Sequence, residues 1–308
     1  ADAAAEDGAV TDIAASPAAP ARRADLATTL AALGWRGVGE LALVYAALIV
    51  VLLQTIYPLF WVLSGSLKTK NEIITNVWGP PAGLEFGNYA EAWKMAGMGM
   101  RIVNSVSITA AALVVLVAAA TPCAYALARL RFRGRGIVTA AIVAAMFVPP
   151  QVMAIPLFMV ARDLGLINNR LGVAVIYAAS SLPLSVFILR SFFLTLPADL
   201  EDAARVDGAS RFQVLLHIML PLIRPGVALV LIFGFIEIWN DFFLAFLLLR
   251  KPELQTIPLG LVSFFQQYDS LWNLYFAALM ITTLPVIIVF LLMQRQFIAG
   301  LTAGAVKG

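Results

Sequence analysis

The chain has 308 residues, 61% of them hydrophobic and 13% charged, with a net charge of +3. Soluble domains average about 45–50% apolar and about 25% charged residues, so this composition excludes an ordinary water-soluble fold and makes the bilayer the solvent. The basic residues flank apolar runs without stacking aromatics, which excludes a nucleic-acid surface, and a lone cysteine, Cys123, excludes an intrachain disulfide.

In chain order, residues 1–28 are Ala-rich, carry five acidic residues with Pro17 and Pro20, and cannot bury a core. They are expected to be a disordered tail, and no apolar region near the start suggests a signal peptide. Residues 29–308 are expected to form one membrane domain. Crossing about 30 Å of hydrocarbon takes about 20 apolar residues, and six stretches reach that length: Leu41–Leu63, Ile102–Ala128, Ile137–Val160, Leu171–Leu189, Gly226–Leu249 and Leu274–Met293. Their runs do not alternate as barrel strands do, so the fold class is all-α and polytopic, with six transmembrane helices.

An even number of spans puts both termini on one side. That side would hold Arg22, Arg23 and Arg36, the cluster Arg129, Arg131, Arg133 and Arg135, then Arg190, Arg205, Arg211 and Arg224, and finally Arg295 and Lys307. It carries 13 of the 21 basic residues, which makes both termini cytoplasmic. The outward loop 64–101 is expected to form a small cap with a short helix around 88–96, a flexible connector being the alternative. Pro122, Pro149, Pro150, Pro156, Pro183 and Pro285 lie within the spans and are each expected to kink a helix.

Between the fourth and fifth spans, residues 197–221 are too polar to cross a membrane. They predict two short helices lying across the cytoplasmic face. Asp199 is placed to cap the first, Gly208 to stop it in the left-handed conformation, Ser210 and Gln213 to form a capping box for the second, and Pro221 to end it. The spacing Asp202-Ala203-Ala204, Gly208, Ile218-x-Leu220-Pro221 resembles the EAA motif of type I ATP-binding-cassette (ABC) importer permeases, with aspartate where glutamate is usual. Phe86–Trp93, Trp239–Phe242 and the tail from Ala299 are similar to maltose-transporter-like carbohydrate permeases.

The resemblance implies a transmembrane permease subunit in a prokaryotic inner membrane, moving a carbohydrate, such as an oligosaccharide, inward. It implies that Glu201, Asp202, Ala203, Ala204, Asp207, Gly208, Ile218, Leu220 and Pro221 couple the chain to an ATPase dimer. Further implied partners are a second, non-identical permease, an extracytoplasmic solute-binding protein and the surrounding membrane lipid. Such a subunit is not itself an enzyme and needs no cofactor of its own. No Gly-x-x-x-x-Gly-Lys-Ser/Thr loop occurs in the chain, so ATP and Mg would be bound by the partner subunits.

The fifth span carries Glu237 and Asp241, four apart on one helical face, beside Asn240 and Trp239. Carboxylates inside a membrane face a water-filled cavity or a neighbouring helix. These four residues are therefore either candidates for the solute pathway or bonds between helices. A second functional class, an ion- or proton-coupled secondary transporter using Glu237 and Asp241, stays open on the residues alone, although it leaves the EAA spacing unexplained. His217, the only histidine, has no companions for a metal site.

Overall fold

The computed structural model describes residues 26–268 and 271–305, so the expectations for residues 1–25 and for Lys307 lie outside the described residues. The described residues contain helices and no strands. They belong to two compact units, residues 1–58 and residues 59–308. Helix α1 (Leu26–Ser66) begins within the stretch 1–28 expected as a tail and continues through Pro58.

The second unit holds short helices α2 (Lys70–Thr75) and α3 (Gly87–Met95), then α4 (Met98–Arg129), α5 (Arg135–Ala145), α6 (Ala154–Asp163) and α7 (Arg170–Thr195). After them come α8 (Asp199–Val206), α9 (Arg211–Gln213), a π-helical turn (Val214–Met219) and α10 (Leu220–Leu222). The unit closes with α11 (Arg224–Asn240), α12 (Phe243–Leu248), α13 (Ile257–Gln267) and α14 (Trp272–Ala305).

Among the described residues, four segments are long and apolar enough to cross a bilayer: Gly39–Ser66, Met98–Arg129, Arg170–Thr195 and Trp272–Gln294. The bent pair Arg211–Leu222 and Arg224–Asn240 makes a fifth if it is taken as one span. The third expected span, Ile137–Val160, is two short helices separated at Pro149–Pro150. The rings there remove two backbone donors, and Pro150 keeps Pro149 out of the helical region. The fifth expected span stops at Asn240 because Asp241 is extended (φ −69°, ψ 123°) and turns its carboxylate on the next helix. By contrast, α4, α7 and α14 run unbroken through Pro122, Pro183 and Pro285.

Among the described residues, helices α4 and α7 make the most extensive packing contact. Their seam is built from small buried residues, including Ala112, Ala120 and Ala124 on α4 and Ala174 and Ala178 on α7. In lipid there is no hydrophobic drive between helices, so close backbone approach and dispersion hold such a seam. At one end of the bundle, buried asparagines tie loops to helices. Asn88 donates to the carbonyls of Ser66 and Lys68 at 2.9 Å each, Asn273 donates to Asn88 at 2.8 Å, and Asn104 donates to the carbonyls of Glu253 and Gln255. Residues 64–101 thus hold α2, α3 and the start of α4, and these asparagines tie the segment to the helices. Helix α13, packed against α4 and α14, is an addition that the sequence pattern did not single out.

Candidate functional site

The polar loop lies at the other end of the bundle. Ala198 is already helical (φ −69°, ψ −29°), so it takes the cap position of α8 without a side-chain bond, and Asp199 is the first helical residue rather than the cap. Asp199, Glu201 and Asp202 fill the first turn, where carboxylates complement the helix dipole. Gly208 ends α8 at φ +84°. The capping box of Ser210 and Gln213 is complete, with bonds of 3.3 Å and 2.8 Å.

Pro221 does not end the second helix, which continues to Leu222. Within the π turn the Leu220 amide reaches back to the Leu215 carbonyl five residues earlier. That widening makes room for the proline ring, which would otherwise press on a carbonyl one turn back. The break falls at Ile223, where the chain bends by 78° into α11. Pro225, in the first turn of α11, has no N–H with which to continue the preceding helix.

Glu201 is the buried member of the acidic cluster. Its Oε1 lies 2.9 Å from Arg129 Nε, with the two side chains 12% and 13% exposed, and its Oε2 accepts a 2.9 Å hydrogen bond from the Tyr125 hydroxyl. Arg129 also donates to the Leu196 carbonyl at 2.6 Å. Below this pair, Tyr125 and Phe193 meet edge to face at 5.5 Å. Ala204, Val214, Leu215, Met219 and Ile223 enter the same apolar cluster as Leu127 and Leu189. The loop is thus held to α4 and α7 by an ion pair, a phenol and an apolar plug.

The nine residues expected to act in coupling divide into two sets. Glu201 and Ala204 are buried and face the bundle, and Ile218 and Leu220 pack against it from partly buried positions. Asp202, Ala203, Asp207 and Gly208 are exposed, and Pro221 lies on the turn between the two sets. Asp202 lies 3.9 Å from Arg205 across an exposed i,i+3 pair worth little energy. Val206 is 87% exposed beside these acids, with Phe212 also exposed. The outer face therefore combines carboxylates with unpartnered apolar groups, a surface suited to docking rather than to solvation alone.

Residues 120–302, which contain this whole loop, match the binding-protein-dependent transport system inner membrane component family. The chain belongs to that family. It is 35% identical over 268 residues to the diacetylchitobiose uptake system permease protein NgcG of Streptomyces coelicolor, covering 86% of this chain and 89% of that protein. It is 34% identical to the melibiose/raffinose/stachyose import permease protein MelC of Bacillus subtilis, covering 82% and 91%. A crystal structure of a bacterial ABC transporter involved in the import of the acidic polysaccharide alginate contains a similar chain. The TM-score is 0.72 at 27% identity, with 83% of this chain and 96% of that one covered.

In this family member the polar residues at the C-terminal end of α11 and just beyond it face α7 in two rungs. Tyr177 donates to Asp241 at 2.8 Å, and Ser181 donates to Glu237 at 2.9 Å. Ser181 meets Glu237 in the last turn of α11, and Tyr177, one turn earlier on α7, meets Asp241 in the extended residue that follows α11, so both bonds form on one seam. Asp241 Oδ1 also accepts from the Leu244 and Ala245 amides and so starts α12. Trp239 is buried and stacks on Phe235 at 5.3 Å. Glu237 and Asn240 retain exposed surface. Tyr125, Tyr177 and Ser181 were not singled out from sequence, and Arg129 was read only as a topology marker. The available signal was periodicity: Tyr125 stands four before Arg129, and Tyr177 stands four before Ser181.

Proposed function

We propose that this chain is the permease subunit of an ATP-driven, binding-protein-dependent importer for an oligosaccharide, and that α8 receives force from an ATPase partner. The observation that carries this proposal is the two-sided build of α8: Asp202 and Val206 point outward while Glu201 fixes the helix from behind. A helix loaded by a partner has to be stiffly joined to what it moves. The similarity to uptake permeases for diacetylchitobiose and for raffinose-type sugars supports the solute class.

On this proposal the chain crosses a prokaryotic inner membrane six times with both termini cytoplasmic. Helices α5 and α6 together form the third crossing, and α11 with α12 the fifth. An ATPase dimer that binds ATP and Mg, a second permease and an extracytoplasmic solute-binding protein complete the complex. Of the candidate pathway residues, the exposed Glu237 and Asn240 offer Glu237 Oε1 and Asn240 Oδ1 to sugar hydroxyls, while Trp239 and Asp241 support the wall behind them. The test is purification of the tagged chain from its host in mild detergent. A stoichiometric ATPase is expected, and Val206→Asp should reduce its retention at least tenfold while the variant still inserts. An ATPase that stays bound to Val206→Asp at the native level would remove α8 from the interface.

A further inference from the structure

A groove of about 800 Å³ runs along the outside of α5 and α7 at the end of the bundle that carries α8. Arg135 and Arg190 stand at its mouth, and Thr139, Val143, Ala144 and Phe147 continue it toward the bundle's middle. Among the described residues each guanidinium makes one hydrogen bond, to the last turn of α4: Arg190 Nε to the Leu127 carbonyl at 3.3 Å and Arg135 to the Ala128 carbonyl at 3.5 Å. Among the described residues no carboxylate lies within 4.0 Å of either guanidinium, whereas the neighbouring Arg129 is neutralised by Glu201. Two partly buried cations thus keep most of their donors free at the head of an apolar channel, with exposed Arg131 and Arg133 close by in sequence.

We infer that this groove binds one acidic phospholipid of the cytoplasmic leaflet, its phosphate held by Arg135 and Arg190 and an acyl chain lying over Ala144 and Phe147. A guanidinium fork matches phosphate oxygens and is only weakly hydrated, so it gives up water at low cost. The split into a charged head and an apolar limb fits a lipid and leaves half the groove unused by a free anion. Basic recesses between transmembrane helices on this side of a membrane suit anionic headgroups. The leaflet follows from the proposed topology, but lipid retention is read without transport, so the two proposals can fail separately.

The experiment is native mass spectrometry of the delipidated, assembled importer titrated with phosphatidylglycerol, phosphatidylcholine or inorganic phosphate. One tightly retained phosphatidylglycerol is expected, with phosphatidylcholine retained about tenfold less and inorganic phosphate unable to displace the lipid. Arg135→Gln combined with Arg190→Gln should weaken retention about tenfold or more. Because those changes also remove bonds to α4, Ala144→Trp serves as the second variant: it fills the apolar limb, leaves both arginines in place and should also expel the lipid. Equal retention of both lipids, native retention by both variants, or full displacement by inorganic phosphate would overturn the assignment. So would the absence of retained lipid together with crosslinking of Ala144→Cys to the second permease, because the groove would then be a protein interface.

Discussion

Glu201→Gln tests whether the buried ion pair, rather than the exposed acids, holds α8 to the bundle. Glutamine keeps the length of the side chain and its oxygen can still accept the Tyr125 hydroxyl, so the change removes the charge and turns an amide donor toward Arg129. Arg129 is then left 13% exposed with the Leu196 carbonyl as its one remaining acceptor. Removing one partner of a fully buried pair costs about 3–5 kcal/mol. Access of water and the retained phenol bond reduce this to about 2 kcal/mol, or about thirtyfold in the equilibrium between docked and released α8. Hydrogen exchange of the assembled importer, followed by mass spectrometry, should show amides of residues 203–209 exchanging about thirtyfold faster. Asp202→Asn, whose side chain is 72% exposed, should change the same amides by less than about twofold. If both variants exchange alike, or if Asp202→Asn is the faster, the ion pair is not what seats the helix.

Other changes separate backbone strain, capping and packing. Gly208→Val should abolish solute uptake in reconstituted vesicles while leaving membrane insertion intact: φ is +84°, open space surrounds the new Cβ, and the left-handed backbone alone costs about 1–2 kcal/mol or more. Gly208→Asn, which tolerates that conformation, should retain most uptake in the same assay. Tyr177→Phe should lower thermal stability by about 1 kcal/mol, and Asp241→Ala by about 2–3 kcal/mol, since the latter also uncaps two amides of α12. Gly172→Ala places a methyl 2.8 Å from the Leu166 backbone, which cannot swing aside as a side chain could. It should cost about 1–3 kcal/mol in thermal unfolding.

How much of this was legible in the sequence depends on whether a feature is local. The stop at Gly208 and the box of Ser210 and Gln213 are decided within three or four residues and are built as the sequence predicts. Apolar length likewise reveals α1, α4, α7 and α14. Length fails where an interruption is also local but subtle. The Pro149–Pro150 pair divides the third stretch, and Asp241 divides the fifth by offering its carboxylate to amides three and four residues on. A count of hydrophobic residues registers neither. The site partners are harder still, because Glu201 finds Tyr125 and Arg129 across more than seventy positions. Burial was hidden for a related reason. Adjacent acids in an eight-residue helix look alike in sequence, and only the packing of Ala204 into the apolar cluster turns Glu201 inward and leaves Asp202 outside.

This division of adjacent carboxylates bears on how force would travel. A helix held only by its ends would absorb a push by rotating about its termini, and little displacement would reach the membrane. Here α8 is joined to the bundle at three separate points: Glu201 on the end of α4, Ala204 in the shared apolar cluster, and the continuous π-turn segment leading through Pro221 to the bend at Ile223. The first two fix α8 against α4 and α7, and the third leads into α11, which packs on both of them and carries the polar rungs to α7. A displacement of α8 would therefore act on the α4–α7 seam and on α11 together, so the helices that position Glu237 and Asn240 would move with it. The charged contact is suited to this because it resists sliding as well as separation: moving Arg129 and Glu201 apart by a few ångströms leaves two largely buried charges unpaired. Apolar packing alone would let α8 slip to a neighbouring register at lower cost.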